Sequence, residues 1–263
     1  MKTSKSYLKY FKKIEKNIVH CLEKLPENFE EEDYHKFRVE IKKLNAFLIS
    51  LQFCLRSFKK DKYFKSLKNL FKQAGKIRNY QLEESMLQRN GARFIDQYLF
   101  DLEQRIKKEK IKFASLHNQI RPTKIKKLLG KIKPFIKKIN RKDLEMFTES
   151  ERNKITHFFQ IDPLLPINLH TIRKLLKIDF YTRKITDHPQ AQNLLEEENN
   201  FLELLGKWQD CRTVNNLLEK SILKETVNSN ESGNLLKIKS EIIFTSDHLF
   251  INIKERIHKG VYL

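Results

Sequence analysis

Glycine and proline are scarce: six of each in 263 residues, under 5% together where an average protein has roughly 12%. Sandwiches, barrels and dinucleotide-binding sheets need more turn residues than that. Cysteine is scarcer still. Cys21, Cys54 and Cys211 form no CxxC pair, which leaves neither a disulfide framework nor a zinc ribbon and suits a reducing cytoplasm. Long apolar runs are missing as well. The longest, Phe47 to Leu55, is interrupted by Ser50 and Gln52, far short of the roughly 18 residues a membrane span requires. The Lys-rich beginning, Met1 to Lys16, has no apolar core or cleavage site, so neither a leader nor a membrane segment is expected.

Acidic residues are the other shortage. Lys and Arg number 53 against 33 Asp and Glu, a formal charge of +20, with 40% hydrophobic residues. That apolar fraction supports a folded core and excludes general disorder. The excess points to an anionic partner. It is unevenly placed: residues 1–142 hold 37 basic and 15 acidic side chains, whereas residues 143–263 hold 16 and 18.

Helical periodicity runs nearly throughout. Tyr7, Tyr10, Phe11, Ile14 and Ile18 mark a first helix ending near Pro26. Further helices are expected at about 34–58, 62–88 and 92–117. Residues 121–142 carry ten basic and no acidic residues, yet keep a helical apolar period broken at Pro134, which describes the solvated face of an amphipathic helix. A helix to about Phe159, a loop around Pro163 and Pro166, and helices at about 167–186, 190–222 and 233–258 complete the pattern, with a turn expected at Asn228–Gly233.

Two spacings repeat. His35, Arg38 and Lys42 stand at i, i+3 and i+7; His170, Arg173 and Lys177 repeat this 135 residues later. Each triplet is followed by a second related segment, Gly75-Lys76-Ile77-Arg78-Asn79 and Gly206-Lys207-Trp208-Gln209-Asp210. One such triplet is expected well under once by chance, so the repeat governs the fold reading. At ~100° per residue, both triplets turn away from the apolar faces of their helices. Lys174 and Tyr181 lie on the second stripe, while Glu40 and Asp179 fall on the far side.

A His/Arg/Lys stripe repels divalent cations and has no carboxylate or nucleophile at matched spacing for acid/base work. An anion is the ligand it can serve, with Arg forking onto oxygens and Lys supplying point charge. No cofactor, metal or catalytic group is expected.

The runs Tyr34 to Leu44 and Leu169 to Lys177, with their later Gly-Lys segments, resemble the CHAD domain, the conserved histidine α-helical domain, over about residues 5–258. The resemblance implies an all-α fold of two pseudo-twofold-related bundles, residues 1–142 and 143–263, with a basic cleft or pore between them. It implies non-catalytic binding of inorganic polyphosphate, with proteins of polyphosphate granules as further partners, a cytoplasmic location and no separate catalytic domain. The implied binding residues are His35, Arg38, Lys42 and Lys43 in the first copy and His170, Arg173 and Lys177 in the second, and the helical stripe adds Lys174. Lys72, Lys76, Arg78 and Tyr181 stand behind them. The sequence departs from the family pattern at Asn45, Ile178 and Phe180, where basic residues are common, and it splits a later Arg-Asp pair between Arg78-Asn79 and Gln209-Asp210. Two other readings fit the composition: a helical RNA- or DNA-binding protein using the basic first half, and a scaffold with a degenerate polyanion site. Sequence-tolerant single-strand binding adds stacked aromatics to charge; most Phe here fall at core periods, with Trp208 and Tyr181 isolated.

Overall fold

The computed structural model describes residues 2–91, 93–161, 164–186, 192–223 and 229–260. They form an all-α fold: α1 (Lys2–Glu23), a 3₁₀ turn (Pro26–Asn28), α2 (Glu31–Cys54), α3 (Lys60–Arg89), α4 (Asp96–Asn118), α5 (Pro122–Gly130), α6 (Lys133–Ile136), α7 (Arg141–Phe159), α8 (Pro166–Thr186), α9 (Gln192–Leu223) and α10 (Ser229–His258). Pro163 and Asn228 lie outside the described residues.

Local chemistry explains the boundaries. At the start of α2, Glu30 and Asp33 cap each other's backbone reciprocally, and Glu31, Glu32 and Asp33 put negative charge in the first turn. Asn140 caps α7 by accepting from the Asp143 amide at 2.8 Å. The break expected at Pro134 falls just before it: α5 ends at Gly130, and α6 begins at Lys133 with Pro134 in its first turn. The turn expected at Asn228–Gly233 is corrected from Ser229 onward, because α10 begins at Ser229. Ser and Asn are as much helix-start residues as turn residues, and here they open the helix.

The chain divides into two compact units. The first holds residues 1–74 and 113–202, the second 75–112 and 203–263, so the division falls within α3, α4 and α9. This differs from a boundary at residue 142. The reason is packing across the copies: α2 of the first copy packs on α7 and α8 of the second, and α1 packs on α8. Both copies pass from the first unit to the second at corresponding places, at Gly75 and at Glu203, three residues before Gly206.

In the first unit, Tyr7, Phe11, Ile14 and Ile18 of α1 are buried with Phe37, Ile41, Leu44, Phe47, Leu48 and Leu51 of α2. The Phe47 ring lies 5.4 Å from Tyr7 and 5.2 Å from Phe11, centroid to centroid. Ile172, Leu176 and Phe180 bring the apolar side of α8 into this core. Along 121–142, Ile125, Leu129, Ile132, Ile136 and Ile139 are buried while nearly all the basic side chains are exposed. Lys133 is half-buried and pairs with Glu15 at 2.9 Å. The segment is therefore an amphipathic layer on α1, with its charge in solvent.

The second unit is built around Leu87, Ile95, Tyr98, Leu102 and Ile106 packed with Cys211, Val214, Leu218, Leu235, Ile238 and Ile242. The Glu231 carboxylate accepts from the Gln97 and Tyr98 amides at 2.8 and 3.1 Å, so α10 caps the start of α4. Tyr98 Oη donates to the buried Glu83 carboxylate at 2.5 Å, and Arg105 donates to Ser221 Oγ at 3.1 Å. The α3–α4 turn contains two left-handed residues, Gly91 (φ 71°) and Phe94 (φ 60°). Among the described residues, no helix is long and apolar enough to cross a membrane.

Candidate functional site

Both His/Arg/Lys triplets lie in the first unit, on two helices that touch each other directly, α2 and α8. The sequence places one triplet in each copy, and the fold carries both into the same unit. Their shared direction away from the helix cores is reflected in burial. His35 and Lys174 are exposed; Arg38, Lys42, Lys43, His170, Arg173, Lys177 and Tyr181 are half-buried.

The individual settings differ. Arg38 donates from Nη1 to the Phe71 carbonyl of α3 at 3.0 Å, with its guanidinium carbon 4.7 Å from the Phe71 ring centroid. Lys43 Nζ lies 2.6 Å from Glu40 Oε1. Glu40 is buried, and its second oxygen has no hydrogen-bond partner. Burial pushes the Tyr181 hydroxyl up; Glu40 adds to that shift and Arg173 opposes it. Tyr10 of α1 is also raised by burial, with Tyr181 and Glu40 contributing. Residues of α1, α2 and α8 therefore share one electrostatic neighbourhood.

Two cations of that neighbourhood were not among the sequence candidates. Lys184 is held below its ordinary pKa by partial burial and then by the charges of Lys43 and Lys13, and its ammonium sits 4.4 Å from the Phe180 ring centroid. A lysine of α1 and a lysine of α2 thus both act on Lys184 of α8. Lys184 stands seven residues beyond Lys177, so extending the α8 stripe by one heptad would have found it. Lys13 gives no comparable signal, since α1 carries Lys at many positions.

The supporting residues divide. Lys72 is exposed and belongs to the first unit. Lys76 and Arg78 belong to the second unit; Lys76 is exposed, 3.8 Å from Glu109, and Arg78 is half-buried. Trp208 is buried, its ring 6.4 Å from that of Phe250. It is a core side chain and offers no open stacking face. Among the described residues, no three His, Cys, Asp or Glu side chains gather as metal ligands.

This geometry defines an all-α protein with cations of two repeated helices collected in one unit. No family model and no curated protein matches the sequence. The fold is that of the CHAD domain. It matches the crystal structure of the CHAD domain from the plant Ricinus communis with a TM-score of 0.79 at 13% identity, over 97% of this chain and 91% of that one. It also matches PptA from Streptomyces chartreusis with a TM-score of 0.71 at 11% identity, over 97% of this chain and 99% of that one.

Proposed function

We propose that this protein binds inorganic polyphosphate without catalysis, through the cations of α2 and α8. The observation that carries the proposal is the direct packing of the two triplet-bearing helices within one unit. Polyphosphate is a flexible chain of roughly one negative charge per phosphate, with no bases and no groove. Charge density is what a protein can read on it, as in nonspecific contacts to nucleic acid backbones. Arg38 and Arg173 supply directional contacts, Lys42, Lys43, Lys174 and Lys177 the surrounding field, and His35 and His170 further donors. Lys13 and Lys184 extend that field. An anion arriving beside Lys184 offsets the repulsion that Lys43 and Lys13 exert on it. We place the protein in the cytoplasm, in company with polyphosphate granules.

The experiment is a competition titration at moderate salt, with long-chain polyphosphate against single-stranded RNA at equal phosphate concentration. Polyphosphate displacing RNA supports the proposal. RNA displacing polyphosphate favours a nucleic-acid protein using the exposed cations of 121–142, and binding of neither favours a scaffold. The log–log salt slope is expected near −0.7 per neutralised phosphate, taking single strands as the guide. A folded Arg38→Ala/Arg173→Ala variant that binds as tightly as the unmodified chain would remove these residues from the site.

A further inference from the structure

The outward face of α10 carries four exposed apolar side chains: Leu236 (47%), Ile243 (38%), Phe244 (67%) and Ile251 (55%). They are distinct from the inward set, Leu235, Ile238, Ile242 and Ile253, which is buried in the second unit. At ~100° per residue the four form one stripe about 100° wide. Ser240, Asp247 and Lys254 fall within the same arc, so the four apolar side chains flank a polar centre line.

The stripe is also symmetric in sequence. Leu236 stands seven residues before Ile243, and Ile251 seven residues after Phe244; Ser240 stands three before Ile243, and Asp247 three after Phe244. Read from either end about the point between Ile243 and Phe244, the order is aliphatic, small or charged polar, then large apolar. Two such helices laid antiparallel on a twofold axis through that point match position by position. Leu236 meets Ile251 of the second copy, and Ile243 meets Phe244. Ser240, whose hydroxyl otherwise donates back to the Leu236 carbonyl, meets the Asp247 carboxylate.

Lys237, Glu241 and His248 lie on one side of the stripe, where the His248 ring packs edge-on against Phe244 with centroids 4.4 Å apart. In an antiparallel pair each flank faces its own copy, which sets His248 across from both Glu241 and Lys237. A parallel pair would instead set Asp247 against Asp247.

We infer that α10 is a twofold self-association surface, pairing antiparallel with α10 of a second copy of this chain about the Ile243–Phe244 midpoint. A single helix face about 22 Å long is smaller than a standard interface of ~800 Å² per partner. The dimer is therefore reversible and concentration-dependent.

Sedimentation velocity on the full chain, from low micromolar to several hundred micromolar, tests this. A monomer–dimer equilibrium is expected. Phe244→Asp, at an exposed position that keeps helical circular dichroism, weakens it by about tenfold or more. Ser240→Asp alone weakens it by placing two carboxylates together, and Ser240→Asp/Asp247→Ser restores it. A monomer at every concentration overturns the inference, and if that monomer floats with anionic vesicles the face belongs to a membrane instead. A dimer indifferent to Phe244→Asp removes α10 from the interface. A double swap as weak as the single overturns the antiparallel pairing.

Discussion

The Arg38 guanidinium lies over the Phe71 ring, 4.7 Å from its centroid, while Nη1 donates to the Phe71 carbonyl. One residue of α3 thus supplies both a face and an acceptor, which fixes a side chain that would otherwise carry roughly 2 kcal/mol of rotamer entropy. The remaining guanidinium donors are held in a set orientation. Phe71→Ala removes the face but no charge. It is expected to weaken polyphosphate binding by about twofold to fivefold at constant ionic strength, with an unchanged salt slope, as fluorescence anisotropy would measure. Arg38→Lys is expected to lose at least as much, since an ammonium cannot fork.

Glu40 is a buried carboxylate beside Lys43, in the same neighbourhood as Tyr10 and Tyr181. It subtracts from the positive field and holds Lys43 to itself. Glu40→Gln is expected to strengthen polyanion binding by about twofold to fivefold. Calorimetric titration at two salt concentrations checks this, with the gain shrinking at the higher one.

Burial pushes the Glu83 carboxyl up to about 7, against the opposing effects of the Tyr98 hydrogen bond and Arg105. A carboxyl whose folded pKa is raised binds more protons in the folded state, so stability falls as pH rises from the ordinary carboxylate range through about 7. Thermal denaturation is expected to show a higher midpoint at pH 5.5 than at pH 8. Glu83→Gln, which retains an acceptor for Tyr98, is expected to remove that difference and to stabilise the protein at pH 8 by roughly 1–3 kcal/mol.

Phe94 has φ 60° and is 75% exposed, so it bears left-handed strain with little burial in return. Asn tolerates this region far better. Phe94→Asn is expected to stabilise the chain by about 1 kcal/mol in urea denaturation, with polyphosphate affinity unchanged.

The helices and their inward faces were legible in the sequence because a 3.6-residue period reports which side of a helix is buried. It does not report what buries it. Phe37, Ile41 and Leu44 read as core from spacing alone, yet the partners of α2 include α7 and α8 from the other copy, and no local signal encodes that choice. The same limit hid the first unit's basic neighbourhood. The repeat identified His170, Arg173 and Lys177, and their stripe continues to Lys184; Lys13 joins only because α1 packs on α8. In the other direction, Asn228–Gly233 reads as a turn because Ser and Asn serve turns and helix starts alike.

The partnership of α2 with α7 and α8 also sets a timetable for synthesis. When residue 142 leaves the ribosome, the first copy has its helices but not the surfaces they finally cover. Leu176 and Phe180 have not yet emerged, and at about 5–20 residues per second they do so roughly 2–8 seconds later. Through that interval the apolar side of α2 stays partly uncovered. The nascent chain is then an aggregation-prone client for chaperones, and a premature stop between the copies leaves a fragment with no way to finish its core.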